Sequence, residues 1–143
     1  MFEQPVDKNN IDALAEVRRS IAFPVAADES VFTKEDLRKV VEVKAADIIN
    51  LKIMKMGLLE AWDIAITAHS LGLGLMIGGM VETRLSMGTS LALVAGLGII
   101  ENLDLDTPLL MASDPMEGGY RYEGPTIHLS DEPGLGMRPK NNK

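Results

Sequence analysis

The chain is expected to fold as α/β, as half of a parallel (β/α) TIM-type barrel of about four βα units followed by a β-rich tail. Three observations point there. Short apolar runs alternate with amphipathic stretches, and strands recur about every 25 residues, the repeat of a βα unit. The runs end on charged residues: Met1-Phe2 before Glu3, Phe23–Ala27 before Asp28, Ile48–Leu51 before Lys52, and Ile99-Ile100 upstream of Asp104 and Asp106. The chain has 143 residues, whereas a complete (β/α)8 barrel takes about 250, so the barrel is incomplete.

The elements follow in order. Asn9-Asn10 caps a helix whose apolar positions Ile11, Leu14 and Val17 share a face. Phe23–Ala27 is a strand. Thr33 and Asp36 make a capping-box start, and Leu37, Val40 and Val41 give the next helix its buried stripe. Asp47–Ile53 reads as a strand, and Leu58, Leu59, Trp62, Ala65, Ile66 and His69 outline a helix ended by Gly72. Leu73–Ile77 is almost free of polar residues, as expected of a strand covered on both faces. A helix over Leu85–Leu97 and a strand over Leu103–Asp106 complete the alternation. After Pro108, glycines and prolines frame a hairpin of Tyr120–Tyr122 with Thr126–Leu129, and the tail from Pro133 reads as irregular. The expected division is a partial barrel over 1–107, a hairpin and tail over 108–139, and a frayed terminus over 140–143.

Composition excludes several function classes. There is no cysteine, so disulfides, thiolate nucleophiles and Cys-type zinc sites drop out. A net charge of −7 and 4% aromatics argue against a nucleic-acid partner, which needs cations for phosphates and rings for bases. The apolar stretch Leu85–Ile100 is about 16 residues, short of the roughly 20 that cross a bilayer. Met1–Pro5 has neither the basic nor the apolar region of a secretory signal, and the expected location is cytoplasmic, with no membrane partner.

Strand ends of a parallel barrel converge on one mouth, where its chemistry sits. Glu3, Asp28, Lys52, Asp104 and Asp106 are therefore the candidate site residues. Carboxylates and a lysine gathered there can hold a hard cation and move a proton. Spacing alone leaves Asp28 open between this role and a helix cap, and Ser30 is a rival cap. Asp104 and Asp106 lie two apart, on one side of a strand, which suits an ammonium pocket. Lys55 reads as a rim lysine and Glu82 as a local partner of Arg84. The glycine run Gly72–Gly79 lacks the features of a phosphate loop and reads as close packing. His69 and His128 read as structural, and the nine methionines as core filler.

Taken together and in order, several motifs resemble the enolase superfamily. They are Glu3-Gln4-Pro5-Val6, Ala27-Asp28-Glu29-Ser30, Asn50-Leu51-Lys52-Ile53-Met54-Lys55, Gly79-Met80-Val81-Glu82-Thr83, Asp104-Leu105-Asp106 and Pro133-Gly134-Leu135-Gly136. The chain is similar to the C-terminal half of a muconate-lactonizing-type barrel, strands four to eight, and most of all to dipeptide epimerases of the L-Ala-D/L-Glu group. The resemblance implies that Glu3 and Asp28 are two ligands of a magnesium ion. It implies that Lys52 is one of two acid/base lysines, and that Asp104 and Asp106 bind the α-ammonium of a dipeptide. The implied reaction inverts an α-carbon by lysine proton abstraction through a metal-stabilised enediolate, an arrangement known for enolase-superfamily sites. One departure is visible: the family often has two glycines after the strand-six lysines, but here Gly57 is followed by Leu58.

The family's first metal ligand and its other lysine precede the region that begins at Met1. The resemblance therefore implies a chain inactive alone, with open sheet edges, needing a complementary N-terminal half or self-association. The competing expectations are an N-acylamino acid racemase, a cycloisomerase or an o-succinylbenzoate synthase relative, or a non-catalytic fragment. Asp104 and Asp106 speak against the first three, whose substrates lack a free ammonium.

Overall fold

The computed structural model describes residues 1–140. Five parallel strands form one curled sheet in the order β1 (Phe2–Glu3), β2 (Val25–Ala27), β3 (Ile48–Leu51), β4 (Gly74–Ile77) and β5 (Asn102–Leu103). Helices α1 (Ile11–Ser20), α2 (Lys34–Glu42), α3 (Ile53–Met56), α4 (Leu58–Ser70) and α5 (Arg84–Leu97) connect them. This is the expected half-barrel, and β1 and β5 are its two edges.

Period-two alternation splits the sheet into two faces. Val25, Ala27, Ile49, Leu51, Leu75 and Ile77 join the helices in the core. The register of the parallel pairs puts the intervening residues Ala26, Ile48, Asn50, Met76 and Asn102 on the other, concave face. The helix starts follow local chemistry. Asn10 accepts from the Ala13 backbone N–H, and Thr33 and Asp36 form a complete capping box.

Several boundaries differ from the sequence reading. The second strand begins at Val25, because Pro24 has no N–H to give the ladder and Phe23 is exposed. The third stops at Leu51 and the chain turns at Ile53 into the short α3. The fifth spans only Asn102–Leu103; Asp106 is already helical in backbone and starts the 3-10 turn Thr107–Leu110. The buried face of α4 consists of Ala61, Ile64, Ala65 and Ala68, whereas Leu58, Leu59, Trp62, Ile66 and His69 face outward. The large side chains were a misleading guide there. Small residues let α4 lie close to the sheet.

The tail is more ordered than its sequence suggests. β6 (Met116–Gly118) pairs antiparallel with β9 (Met137–Pro139), and β7 (Tyr120–Glu123) with β8 (Thr126–Leu129). The backbone N–H of Lys140 donates to Pro115 O at 2.8 Å, so this residue is not frayed; 141–143 lie outside the described residues. Arg84 fastens the tail to α5, donating to Gly118 O and Tyr120 O while lying 4.4 Å over the Tyr120 ring. Gly88 admits Met137, whose Cε would sit 1.7 Å from a Cβ at that position. Of the nine methionines, only Met76 and Met87 are buried. Among the described residues, no helix is long and apolar enough to cross a membrane.

Candidate active site at the mouth of the half-barrel

The C-terminal ends of β1, β2 and β3 bring Glu3, Asp28 and Lys52 together, with Asn50 and Lys55 among them. Asp28 is the centre. It is 2% exposed, and its two carboxylate oxygens are shared between two ammonium groups: Lys52 Nζ lies 2.5 Å from Oδ2, and Lys55 Nζ lies 2.6 Å from Oδ1. Lys55 also donates to the backbone oxygens of Asp28, at 2.6 Å, and Asn50, at 3.0 Å. Its side chain is 4% exposed and lies 5.5 Å from the centre of the Phe32 ring. Lys55 is therefore a buried member of the cluster and not a rim lysine. Its place on α3, three residues after Lys52, turns it back under the loop that follows β2.

Asp28 is not a helix cap. The helix after β2 starts six residues later, capped by Thr33, and Ser30 uses its hydroxyl to donate to Lys8 O and accept from Gln4. Gln4 holds this loop. Its Oε1 accepts from the backbone N–H groups of Asp28 and Ser30, while Nε2 donates to Ser30 Oγ and Val6 O. The backbone of Gln4 has φ 37°, a costly conformation for a residue other than glycine. Four side-chain hydrogen bonds hold it there.

Burial is the largest influence on the four ionisable groups; it sets the direction for Glu3 and Lys55, and neighbours reverse it for Asp28 and Lys52. It pushes the Glu3 carboxyl up, and Asp28 adds to the push. Burial opposes the charged form of Asp28 too, but hydrogen bonds from Lys52 and Lys55 outweigh it and hold that carboxyl down. For Lys52, Asp28, Glu3 and Glu29 overcome burial and raise the ammonium above its ordinary value. For Lys55 burial prevails, helped by Lys52, and the shift is downward.

Asp104 and Asp106 are not part of this cluster's contacts. Both are exposed on either side of the buried Leu105, and they line an open groove of about 700 Å³ between α5 and the β7–β8 hairpin. Asp104 still belongs to the same mouth by register. Met76 pairs with Asn102, so Asp104 comes level with Gly78, and its backbone N–H donates to Ile77 O. Glu82 is buried and accepts from the Met80 N–H and Ser86 Oγ, not from Arg84, which is committed to the tail. A small cavity of about 140 Å³ beside the cluster is lined by Phe32, Met54 and Met80 along with Asp28, Lys52 and Lys55.

The donor set suits a hard cation. Magnesium prefers oxygen ligands and commonly takes one or two protein carboxylates while keeping several waters. Glu3 and Asp28 end neighbouring strands, close enough that Asp28 perturbs the Glu3 carboxyl, and Asn50 Nδ2 donates to Glu3 Oε1 at 2.7 Å. Among the described residues there is no group of three acidic or histidine side chains placed to hold a metal. Sequence reasoning gave Gln4 and Asn50 no role of their own and placed Lys55 on the rim. The signal for Asn50 was present: one amide inside an otherwise apolar strand.

The whole chain, residues 1–143, matches the model of the family described as enolase C-terminal domain-like. It is 42% identical over 137 residues to the aromatic dipeptide epimerase of Herpetosiphon aurantiacus, covering 96% of this chain and 38% of that protein. It is 41% identical over 143 residues to the L-Ala-D/L-Glu epimerase of Clostridium acetobutylicum, covering 99% of this chain and 40% of that protein. Among solved structures it resembles the dipeptide epimerase of Cytophaga hutchinsonii, complexed with Mg and the dipeptide D-Ala-L-Val. The TM-score is 0.92 at 30% identity, over 98% of this chain and 39% of that one. The chain thus spans about two fifths of the length of the relatives it matches.

Proposed function

The chain belongs to the enolase C-terminal domain-like family, and on that footing we propose that it is the mouth-forming portion of a magnesium-dependent dipeptide epimerase. The observation that carries this reading is the shared Asp28 carboxylate, held between the buried Lys55 ammonium and the partly accessible Lys52 ammonium with Glu3 beside it. The identity to epimerases that act on dipeptides supports the substrate class.

In this reading Glu3 and Asp28 are the residues that would hold a magnesium ion, and such an ion would supply positive charge beside the substrate carboxylate. Lys52 takes the proton from the α-carbon. To do so it must part from Asp28, whose charge otherwise keeps the ammonium protonated. Lys55 keeps its hold on Asp28 and on two backbone carbonyls, and so fixes the carboxylate while Lys52 moves. Asp104 and Asp106 receive the free α-ammonium, because two exposed carboxylates flanking one buried residue can be neutralised by a single cation. Inversion needs a second proton carrier on the opposite face of the α-carbon. The concave side of this sheet presents Lys52 for that work and no second free lysine among the residues brought together here.

The test joins this chain to the preceding portion of a relative and follows deuterium uptake at the α-carbon by proton NMR in deuterated water. Dipeptides are expected to exchange and N-acyl amino acids not to; Lys52→Gln abolishes exchange while the fold persists. Exchange of N-acyl amino acids in preference to dipeptides would transfer the assignment to the racemases. The 143-residue chain assayed by itself is expected to epimerise nothing.

A further inference from the structure

Asn50 is half used. It is 1% exposed, its Nδ2 donates to Glu3 Oε1, and its Oδ1 has no hydrogen-bond partner. Chemistry sets the orientation: a carboxylate oxygen accepts, so the NH2 end faces Glu3 and the carbonyl end faces away. An unpaired buried acceptor carries a desolvation cost and calls for an explanation.

The side-chain amide lies beside the end of Lys52. A Cβ built on Gly78 would lie 3.1 Å from Asn50 Oδ1, 3.2 Å from Asn50 Nδ2 and 3.2 Å from Lys52 Cε, so the amide and the end of the lysine flank the same point. Glycine at 78 keeps any side chain from pressing on either. Several neighbouring acceptors are taken. Lys55 occupies the backbone oxygens of Asp28 and Asn50, and Glu3 Oε1 receives the Asn50 amide. A cation bound by Asp28 would repel the Lys52 ammonium from Oδ2, and Asn50 Oδ1 is an unfilled acceptor beside it.

We propose that Asn50 is a positioning residue with two duties: its N–H holds Glu3 in place for the cation, and its carbonyl oxygen receives the Lys52 ammonium when the cation takes Asp28. This rests on the reading of Glu3 and Asp28 as cation ligands. Asn50 thereby lowers the competition between Lys52 and the cation for one carboxylate, and it keeps the lysine on the concave face.

The test titrates the full 143-residue chain with Mn2+, with free ion read by electron paramagnetic resonance, in a double-mutant cycle. Asn50→Leu is expected to weaken Mn2+ binding about tenfold or more, and Lys52→Met to tighten it, because the competitor is gone. In the Lys52→Met background the further change Asn50→Leu is expected to cost at least fivefold less than in the wild type. A merely structural role for Asn50 predicts equal losses in both backgrounds, and equal losses overturn the proposal. No Mn2+ binding by the wild type removes the cation reading itself, and the proposal with it. Binding by the wild type that Asn50→Leu leaves unchanged removes the proposal alone. Thermal unfolding checks each variant for its fold; if Asn50→Leu does not fold, Asn50→Ser takes its place in the cycle with the same expected coupling.

Discussion

Replacing Asp28 by asparagine tests the centre of the cluster through stability, with no need for activity. The carboxylate sits 2.5 Å from Lys52 Nζ and 2.6 Å from Lys55 Nζ, and its side chain is 3% exposed. Lys52 has a way out, since 15% of its side chain is accessible, but Lys55, at 4%, does not. Asp28→Asn keeps the shape and one acceptor but leaves the Lys55 ammonium buried without an anion. Removing one partner of a buried ion pair costs about 3–5 kcal/mol, and the retained amide oxygen argues for the lower end, about 3 kcal/mol. For a domain of this size that is a fall in Tm of roughly 10 °C. Urea unfolding followed by circular dichroism gives the number. The double variant Asp28→Asn/Lys55→Met is expected to recover most of the loss, because the stranded charge leaves with its partner. A loss below about 1 kcal/mol for Asp28→Asn, or no recovery in the double variant, refutes the claim that Lys55 is a buried charge depending on Asp28.

Three further outcomes are expected. In the chain completed by a relative's preceding portion, Asp104→Asn with Asp106→Asn raises the dipeptide KM about tenfold or more in steady-state kinetics, since a hydrogen bond to a charged group contributes about 1.5–3 kcal/mol; an unchanged KM would remove the two aspartates from the ammonium pocket. Asp28 and Asp47 both have carboxyls held below their ordinary value, Asp28 against burial by Lys52 and Lys55, and Asp47 against burial by Arg18 and the Val25 N–H. Their stabilisation is complete above the ordinary carboxylate range and is lost as pH falls through the lower folded values, so the urea midpoint drops steeply below about pH 4, and Asp47→Asn flattens that slope. Gly57 has φ 77° and ψ 166° with nothing within 4 Å of a Cβ position, so Gly57→Ala costs about 1–3 kcal/mol by backbone strain alone; an unchanged unfolding midpoint would show that the α3–α4 joint relaxes freely.

Much of the site was legible because barrel strands all point one way. A charge that closes an apolar run must then lie at the same end of the sheet, and Glu3, Asp28 and Lys52 do meet there. Asp104 and Asp106 were legible as a pair, but their pairing on a strand was not. The ladder stops at Leu103, and Asp106 turns into the 3-10 segment that Pro108 favours. Lys55 looked like a solvated lysine because sequence spacing does not show that α3 folds back over Asp28. Glu82 sits beside Arg84 in sequence, yet the tail captures the arginine from more than thirty residues away. The strand pairing of Met137–Pro139 with Met116–Gly118 was hidden for the same reason: it depends on a partner that local pattern does not name.

Sequence by itself determined the alternation of strand and helix, the polarity of the sheet and the identity of the charges at its mouth. Periodicity and strand termini are local properties, written in residues a few positions apart. Only the tertiary structure decided which of those charges touch, which face of α4 is buried, and that Asn50 keeps an unused oxygen beside Lys52. Those outcomes depend on distances between β1, β2, β3 and β4, and packing sets them across gaps of twenty or more residues.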